Sequence, residues 1–496
     1  MNITTNFARL RSAAAIAMGT PFHLPSLERL VENMRGRGPG KRAARADSRS
    51  AFPLDEKTVR YVQLRRFRAQ ANRAAQETDY YRQLFRTLAV DPARLNWEEL
   101  SRIPLTSKSA LREAAERFVR SGARPCFRTT TTGTTGSPAH VCFSEQEMRT
   151  YISLNALAQI SGGRVNSEDV VQISMSTRAS LGNTCFGSAC ARIGALVHLS
   201  GLIAPERSLA LLAASHPLPG KKPKVSVLVI YPSYLGELIT WGQRLGYTPA
   251  DFGIERIAVG GEAVTQGLKA RCRRFFGAVA FDESYAMTET WPTTGMRCEQ
   301  GHLHFEIAQS LTEVLDPESG APAQAGEAGS LVVTPFMPYR DTTLLLRYDT
   351  EDMVRPLAGP FNCSLAHLPA TSDILGKRSL AVRHPNGWTF PRDITEALEE
   401  IEEIPLPARY GFWAESEGVT VEVVIPCVST RLRNRIAEAL KERRVPLHML
   451  HLVEDRDHLQ QPFPLRGGLR EGEFHRPRSE EGSLCRAEAC LPGGRS

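Results

Sequence analysis

Two short stretches of this sequence carry residue types suited to binding and activating a phosphate ester. Residues 129–138 read TTTTGTTGSP. Gly133 and Gly136 adopt positive φ at little steric cost, so successive backbone N–H groups can turn inward as an anion nest. The hydroxyls of Thr130, Thr131, Thr132, Thr134 and Thr135 add donors, and no carboxylate nearby repels a polyphosphate. No Lys-Ser/Thr pair follows the last glycine, which excludes the usual P-loop and leaves a nucleotide loop of another kind. The second stretch, residues 281–289, reads FDESYAMTE and follows an apolar GAVA segment at 277–280 that reads as a buried strand. A strand end bearing Tyr285, Thr288 and Glu289 offers an aromatic face for a base, a hydroxyl for a phosphate and a carboxylate for Mg2+.

The elements around these stretches must hold them in place. Extended segments at 126–128 and 140–143 predict a loop joining two strands, and Ser144 to Glu147 form a capping-box pattern that starts a helix through Tyr151 and Leu154. Residues 55–85 have helical apolar spacing. Apolar runs at 170–175, 225–231 and 254–259 alternate with helical segments, which argues for parallel sheets covered on both faces. Tyr231, Pro232 and Tyr234 follow one such run, at a strand end where open α/β sheets place ligands. Residues 383–453 differ: helix 394–403, strand 419–425, helix 430–443 and strand 449–453 predict a compact α+β unit. The fold class is therefore α/β, a large N-terminal domain with packed mixed or parallel sheets and a small α+β C-terminal lid. The predicted divisions are a partly flexible extension at 1–50, the main domain at 51–374, the lid at 375–460 and a disordered tail at 461–496.

Composition narrows the class of protein. The 496 residues are 42% hydrophobic and 23% charged, ordinary for a soluble globular protein with a large core. A net charge of +7 is slight for this length and reads as a solvated basic surface rather than a nucleic-acid contact. No apolar run approaches the length of a membrane span. Ten cysteines without framework spacing fit reduced thiols and a cytoplasmic enzyme. The apolar patch at 13–18 is short for a secretory core and reads as part of an N-terminal extension.

Taken together and in order, the motifs resemble the adenylate-forming superfamily. Its phosphate loop matches residues 129–138, and its Tyr-Gly-x-Thr/Ser-Glu motif matches residues 285–289, with Ala286 in place of glycine. GGEA at 260–263, GEAGSLVVT at 326–334, LRYDTED at 346–352 and ILGK at 374–377 follow suit, with Glu351 where glycine is usual. Tyr80, Tyr81 and Arg82, then IPLTSKSALR at 103–112, resemble the phenylacetate–CoA ligase family in particular. The resemblance covers about residues 55–460.

It implies ATP-dependent activation of a carboxylic acid, which could be aromatic, to an acyl-adenylate with release of pyrophosphate, then transfer to coenzyme A. Thr130 to Gly136, Gly261, Glu262, Tyr285 and Asp352 would contact the nucleotide, with Asp352 on the ribose. Thr288 and Glu289 would be catalytic, Glu289 as the Mg2+ ligand; Lys377 would mark the hinge; Tyr231, Pro232 and Tyr234 would line the acyl pocket. The superfamily's lid lysine has no counterpart in the stretch 461–470, and Arg466 or Arg470 would be its electrostatic substitute. Two alternatives stay open: transfer to a carrier protein or an amine, and a silent nucleotide-binding homologue. Cys298, His302, His304 and Cys363 form a loose Cys/His group. Some relatives carry a Cys…His…Cys-x-Cys zinc pattern at these places, but Phe361 occupies the first position of the final pair. Three matching ligands remain, so zinc is not expected.

Overall fold

The computed structural model describes residues 3–35, 55–130, 139–177, 180–385 and 387–454. An eight-stranded mixed sheet organises it, in the order Ala370–Thr371, Leu303–Phe305, Thr294–Arg297, Ala280–Ala286, Arg256–Val259, Val227–Ile230, Val170–Ser174, Leu196–Leu199. From Ala280–Ala286 to Leu196–Leu199 all neighbours are parallel, and the remaining neighbours are antiparallel. Helices Ser180–Ile193, Pro205–Ala213, Pro232–Arg244 and Gln266–Phe276 make the parallel crossovers. Every residue of Val227–Ile230 is buried, which is why that strand reads as an unbroken apolar run. The carboxyl ends of the parallel strands therefore deliver Tyr231, Gly261 and the 287–289 segment to one edge, where ligands bind in such sheets.

A second, antiparallel sheet orders Ser310–Leu315, Gly329–Pro335, Tyr348–Val354 and Gly376–Lys377. It carries Asp349, Asp352 and Lys377. A hairpin of Pro125–Thr130 and His140–Ser144 brackets residues 131–138, which lie outside the described residues. The next helix, Glu145–Ser161, starts with the expected box: Glu147 N donates to Ser144 Oγ at 3.3 Å and Ser144 N to Glu147 Oε2 at 2.8 Å. At the C-terminal end, Arg409–Glu415, Gly418–Ile425 and Leu447–Glu454 form a three-stranded sheet with helices Pro391–Glu399 and Thr430–Glu442. Ile394, Leu398, Phe412, Val421 and Ile436 give it a core of its own.

Several sequence expectations are corrected here. The first 50 residues include two helices, Ile3–Met18 and Leu24–Arg35; Val31 is fully buried, and the Glu28 carboxylate receives Arg149 at 2.9 Å. The helix expected at 55–85 is two, Glu56–Glu77 and Asp79–Leu88. Thr78 breaks it, with extended φ and ψ and a side chain that accepts from Tyr81 N. The strand expected at 277–280 starts only at Ala280 and runs through Ala286, because Gly277 at φ +94° caps the preceding helix. Helix 394–403 is shifted to Pro391–Glu399, its start set by Pro391 in the first helical position.

The N-terminal tyrosine and threonine motifs act as struts. The Tyr81 hydroxyl bonds Thr106 Oγ1 at 2.7 Å and accepts from Leu346 N at 2.7 Å, while Thr106 Oγ1 donates to Leu346 O at 2.6 Å. Both motifs thus grip the backbone that leads into Tyr348–Val354.

Candidate active site

The two chemistry-bearing motifs meet through a reciprocal pair of hydrogen bonds. Tyr285, in the strand Ala280–Ala286, donates its hydroxyl to Asp352 Oδ2 at 2.8 Å. Tyr348, in the second sheet, donates to Glu289 Oε1 at 3.1 Å. Each motif therefore supplies a carboxylate to the other's tyrosine. Burial first, and the neighbouring carboxylate second, push both phenols well above the usual tyrosine range, so both remain donors.

The two carboxylates differ in charge balance. Asp352 Oδ1 also pairs with Lys377 Nζ at 2.8 Å, and that ammonium donates to Thr350 O at 3.0 Å. Each carboxylate oxygen accepts more than one hydrogen bond, so Asp352 keeps capacity for further hydroxyls. Glu289 is 2% exposed, and among the described residues no cation pairs with it. An uncompensated buried carboxylate is costly, and a hard divalent cation matches an oxygen donor of this kind. The residues present fit Mg2+.

Local backbone supports the ribose-side acid. Thr350 Oγ1 accepts from Asp352 N at 3.1 Å and donates to Leu331 O at 2.7 Å. Glu351 stands at φ +61°, the left-handed region that glycine occupies most easily, and its N–H donates to Asp349 Oδ1 at 3.0 Å. The loop path is kept although the glycine is not. Asp349 itself is taken by Ser330 Oγ at 2.6 Å and Arg378 at 3.0 Å.

At the strand ends, Gly261 has φ +82°, and a Cβ there would lie 2.9 Å from the Tyr231 ring. The Glu262 carboxylate accepts from Ser233 N at 2.8 Å and Ser233 Oγ at 2.9 Å, at the first turn of the helix Pro232–Arg244. Tyr234 packs in the core beside Leu209 and Leu238, its hydroxyl donating to Ile203 O at 2.7 Å. Pro232 opens that helix, and Thr288 is half-buried beside Glu289. Thr130 ends its strand, and the adjoining Thr129 Oγ1 bonds Ser180 Oγ at 2.7 Å. Thr131, Thr132, Gly133, Thr134, Thr135, Gly136 and Arg466 lie outside the described residues.

Sequence reading missed Tyr348. Its signal was available: a tyrosine close behind the apolar run at 344–346 must find an acceptor for its hydroxyl when buried.

A crossover α/β sheet whose strand ends meet an acid–tyrosine corner from a second sheet places polar groups where such sheets bind ligands. The family profile for AMP-binding enzymes matches residues 50–335, and the chain belongs to that family. It is 24% identical over 427 residues to a phenylacetate-coenzyme A ligase from Thermus thermophilus, covering 81% of this chain and 89% of that protein. It is 24% identical over 450 residues to one from Aromatoleum evansii, covering 86% and 96%. These place it in the adenylate-forming superfamily near the phenylacetate–CoA ligases. Among solved structures, a 2-hydroxyisobutyryl-CoA ligase in its postadenylation state is similar in fold, with a TM-score of 0.68 at 18% identity over 85% of this chain and 92% of that one. No helix of the described residues is long and apolar enough to cross a membrane.

Proposed function

We propose that the protein is an AMP-forming acid–CoA ligase. It uses ATP to convert a carboxylic acid to an acyl-adenylate, then passes the acyl group to the thiol of coenzyme A. The reciprocal Tyr285–Asp352 and Tyr348–Glu289 bonds carry this reading, since they hold a hydroxyl acceptor and a cation-seeking carboxylate at a fixed separation.

In this reading Asp352 accepts the ribose hydroxyls, and Tyr285 keeps its carboxylate oriented while presenting a ring to the base. Backbone donors of 129–136 bind the β- and γ-phosphates. Glu289 would hold Mg2+, which would supply charge neutralisation at the phosphates. Positioning and electrostatics do most of the work, with Arg466 the proposed cation for the developing charge. Lys377 sits at the junction between the main domain, proposed as 51–374, and the lid, proposed as 375–460. The lid reorients there before thiol attack. Tyr231, Pro232 and Tyr234 remain proposed for the acyl side, with the Tyr231 ring against Gly261 closest to the strand ends. The relatives' names make phenylacetate the first acid to try.

The test is acid-dependent exchange of labelled pyrophosphate into ATP over a panel of carboxylates, followed by thioester formation with coenzyme A. Exchange with no acid in a broad panel would overturn the reading. Exchange without a requirement for coenzyme A in product formation would move the acceptor to a carrier protein or an amine.

A further inference from the structure

The first helix, Ile3–Met18, turns its small residues to the protein and its large apolar ones to solvent. Thr5, Ala8 and Ala15 are buried, and Ala15 joins Phe22, Leu27 and Tyr339 in a small cluster. On the opposite side Phe7 is 58% exposed, Leu10 68% and Met18 66%, and the exposed Ala13, Ala14 and Ala17 complete the stripe. At about 3.6 residues per turn these side chains share one face, on which Asn6 is the polar exception. Phe7 is also the one mainly exposed phenylalanine among the described residues. This orientation leaves a continuous apolar stripe in water unless something covers it. We propose that the stripe docks reversibly on an anionic lipid surface.

Charge selects the occupant. Arg9 and Arg11 border the stripe on its two sides, and residues 1–27 contain no Asp or Glu. The Arg11 guanidinium lies over the Phe7 ring, 5.2 Å from its centroid, a cation and an aromatic together at one edge. At the helix's C-terminal end Arg65 and Arg66 donate to Ala17 O and Ile16 O, and Tyr61, one turn before Arg65, is 65% exposed. The first acid in the chain, Glu28, is already paired with Arg149 at 2.9 Å and Arg192 at 3.4 Å. An apolar stripe bordered by arginines matches a surface with negative headgroups above apolar chains, where long basic side chains reach the headgroups. A second copy of the chain fits less well. Two-fold pairing would bring the same acid-free helix against itself, and arginines would meet arginines.

The helix is held in place from its inner side, so docking needs no refolding. Asn33 Nδ2, on the helix Leu24–Arg35, donates to Thr5 Oγ1 at 3.2 Å, and Thr20 N donates to Ala15 O at 3.1 Å where the chain turns between the two helices. The 16 residues of the first helix extend about 24 Å at 1.5 Å per residue, and a membrane span needs roughly 20 consecutive apolar residues. The helix therefore lies in the plane of the surface and does not cross it. Three large apolar side chains with a few arginines give weak, reversible attachment whose two components, apolar burial and headgroup attraction, can be removed separately.

Flotation of the full-length protein with vesicles tests this, using phosphatidylcholine alone and phosphatidylcholine mixed with phosphatidylglycerol. The protein should float with the mixed vesicles only, and rising salt should release it. The double variant Phe7→Ser/Leu10→Ser changes exposed positions, so it should keep the wild-type melting temperature and lose at least about tenfold in vesicle affinity. Arg9→Gln/Arg11→Gln should lose about tenfold on the mixed vesicles and bind with a shallower salt dependence. No flotation with the mixed vesicles, or equal flotation with both kinds, would overturn the proposal. So would undiminished binding in the folded Phe7→Ser/Leu10→Ser variant. A dimer in vesicle-free sedimentation that this variant dissociates would assign the stripe to a second copy and overturn the lipid surface. None of these measurements depends on activity toward any acid.

Discussion

Glu289 and Asp352 are buried acids of the same corner, each held by a tyrosine from the other's motif, yet they are built for different partners. Asp352 has an ammonium at 2.8 Å as well as its phenol, so its charge is balanced within the fold. Glu289 has the Tyr348 hydroxyl at 3.1 Å and no paired cation among the described residues. A balanced carboxylate suits neutral hydroxyls, which need acceptors and not charge. An unbalanced one suits a divalent ion, and its burial stores the cost of waiting for it. The comparison teaches that partner chemistry is set by the cations nearby and not by the acid itself.

Removing the unbalanced acid should have the largest effect. Glu289→Gln keeps the shape and removes the charge, and pyrophosphate exchange should fall by two or more orders of magnitude, since several kcal/mol of metal-mediated stabilisation go with it. An unchanged exchange rate would take Glu289 out of the metal site. Next comes the balanced acid. Asp352→Ala should raise the KM for ATP by roughly ten- to a hundredfold, as a charged acceptor to hydroxyls contributes about 1.5–3 kcal/mol. Calorimetry on ATP binding checks it, and an unaltered affinity would shift the ribose to another acceptor.

Tyr348→Phe should act more narrowly. The variant leaves Glu289 charged but free to turn, so the Mg2+ concentration needed for half-maximal exchange should rise by about tenfold while kcat at saturating Mg2+ recovers most of its value. A lower kcat with the same Mg2+ dependence would make Tyr348 a packing residue only. Tyr285→Phe is the matching control, expected to change the KM for ATP and leave the Mg2+ dependence alone.

The corner was half legible in the sequence. Tyr285 and Glu289 were legible as a tyrosine and an acid at short spacing after an apolar run, once paired with the Thr/Gly loop, and Asp352 only through the resemblance of LRYDTED to a family motif. Their cross-pairing was not legible, since it depends on how the second sheet docks, and no periodicity records that. What the Glu262 carboxylate does locally was not legible either: it accepts from Ser233 N and Oγ of a neighbouring helix, a contact between segments 29 residues apart. The parallel strands were legible through their unbroken apolar runs. The helices at Ile3–Met18 and Leu24–Arg35 were not, because their burial is one-sided and composition dominated the reading.

The smallest predicted difference between the two acids lies in their response to alkali. Burial raises the folded-state pKa of Tyr285 and Tyr348, and likewise lifts Tyr231, Tyr234 and Tyr339 to about 12. In the unfolded chain a tyrosine titrates near about 10. The folded state therefore binds more protons above that pH, so stability is fully present below about pH 10 and declines as pH rises toward the folded values. Both tyrosine ties should accordingly persist up to the onset of unfolding, and neither acid should lose its donor first. Denaturant titrations between pH 8 and 11.5, read with tyrosinate absorbance, check this: the buried fraction of phenols should ionise together with unfolding. Ionisation of a phenol in still-folded protein, removed by Tyr348→Phe but not by Tyr285→Phe, would show that the tie to Glu289 opens alone and that the reciprocal pair is not one unit.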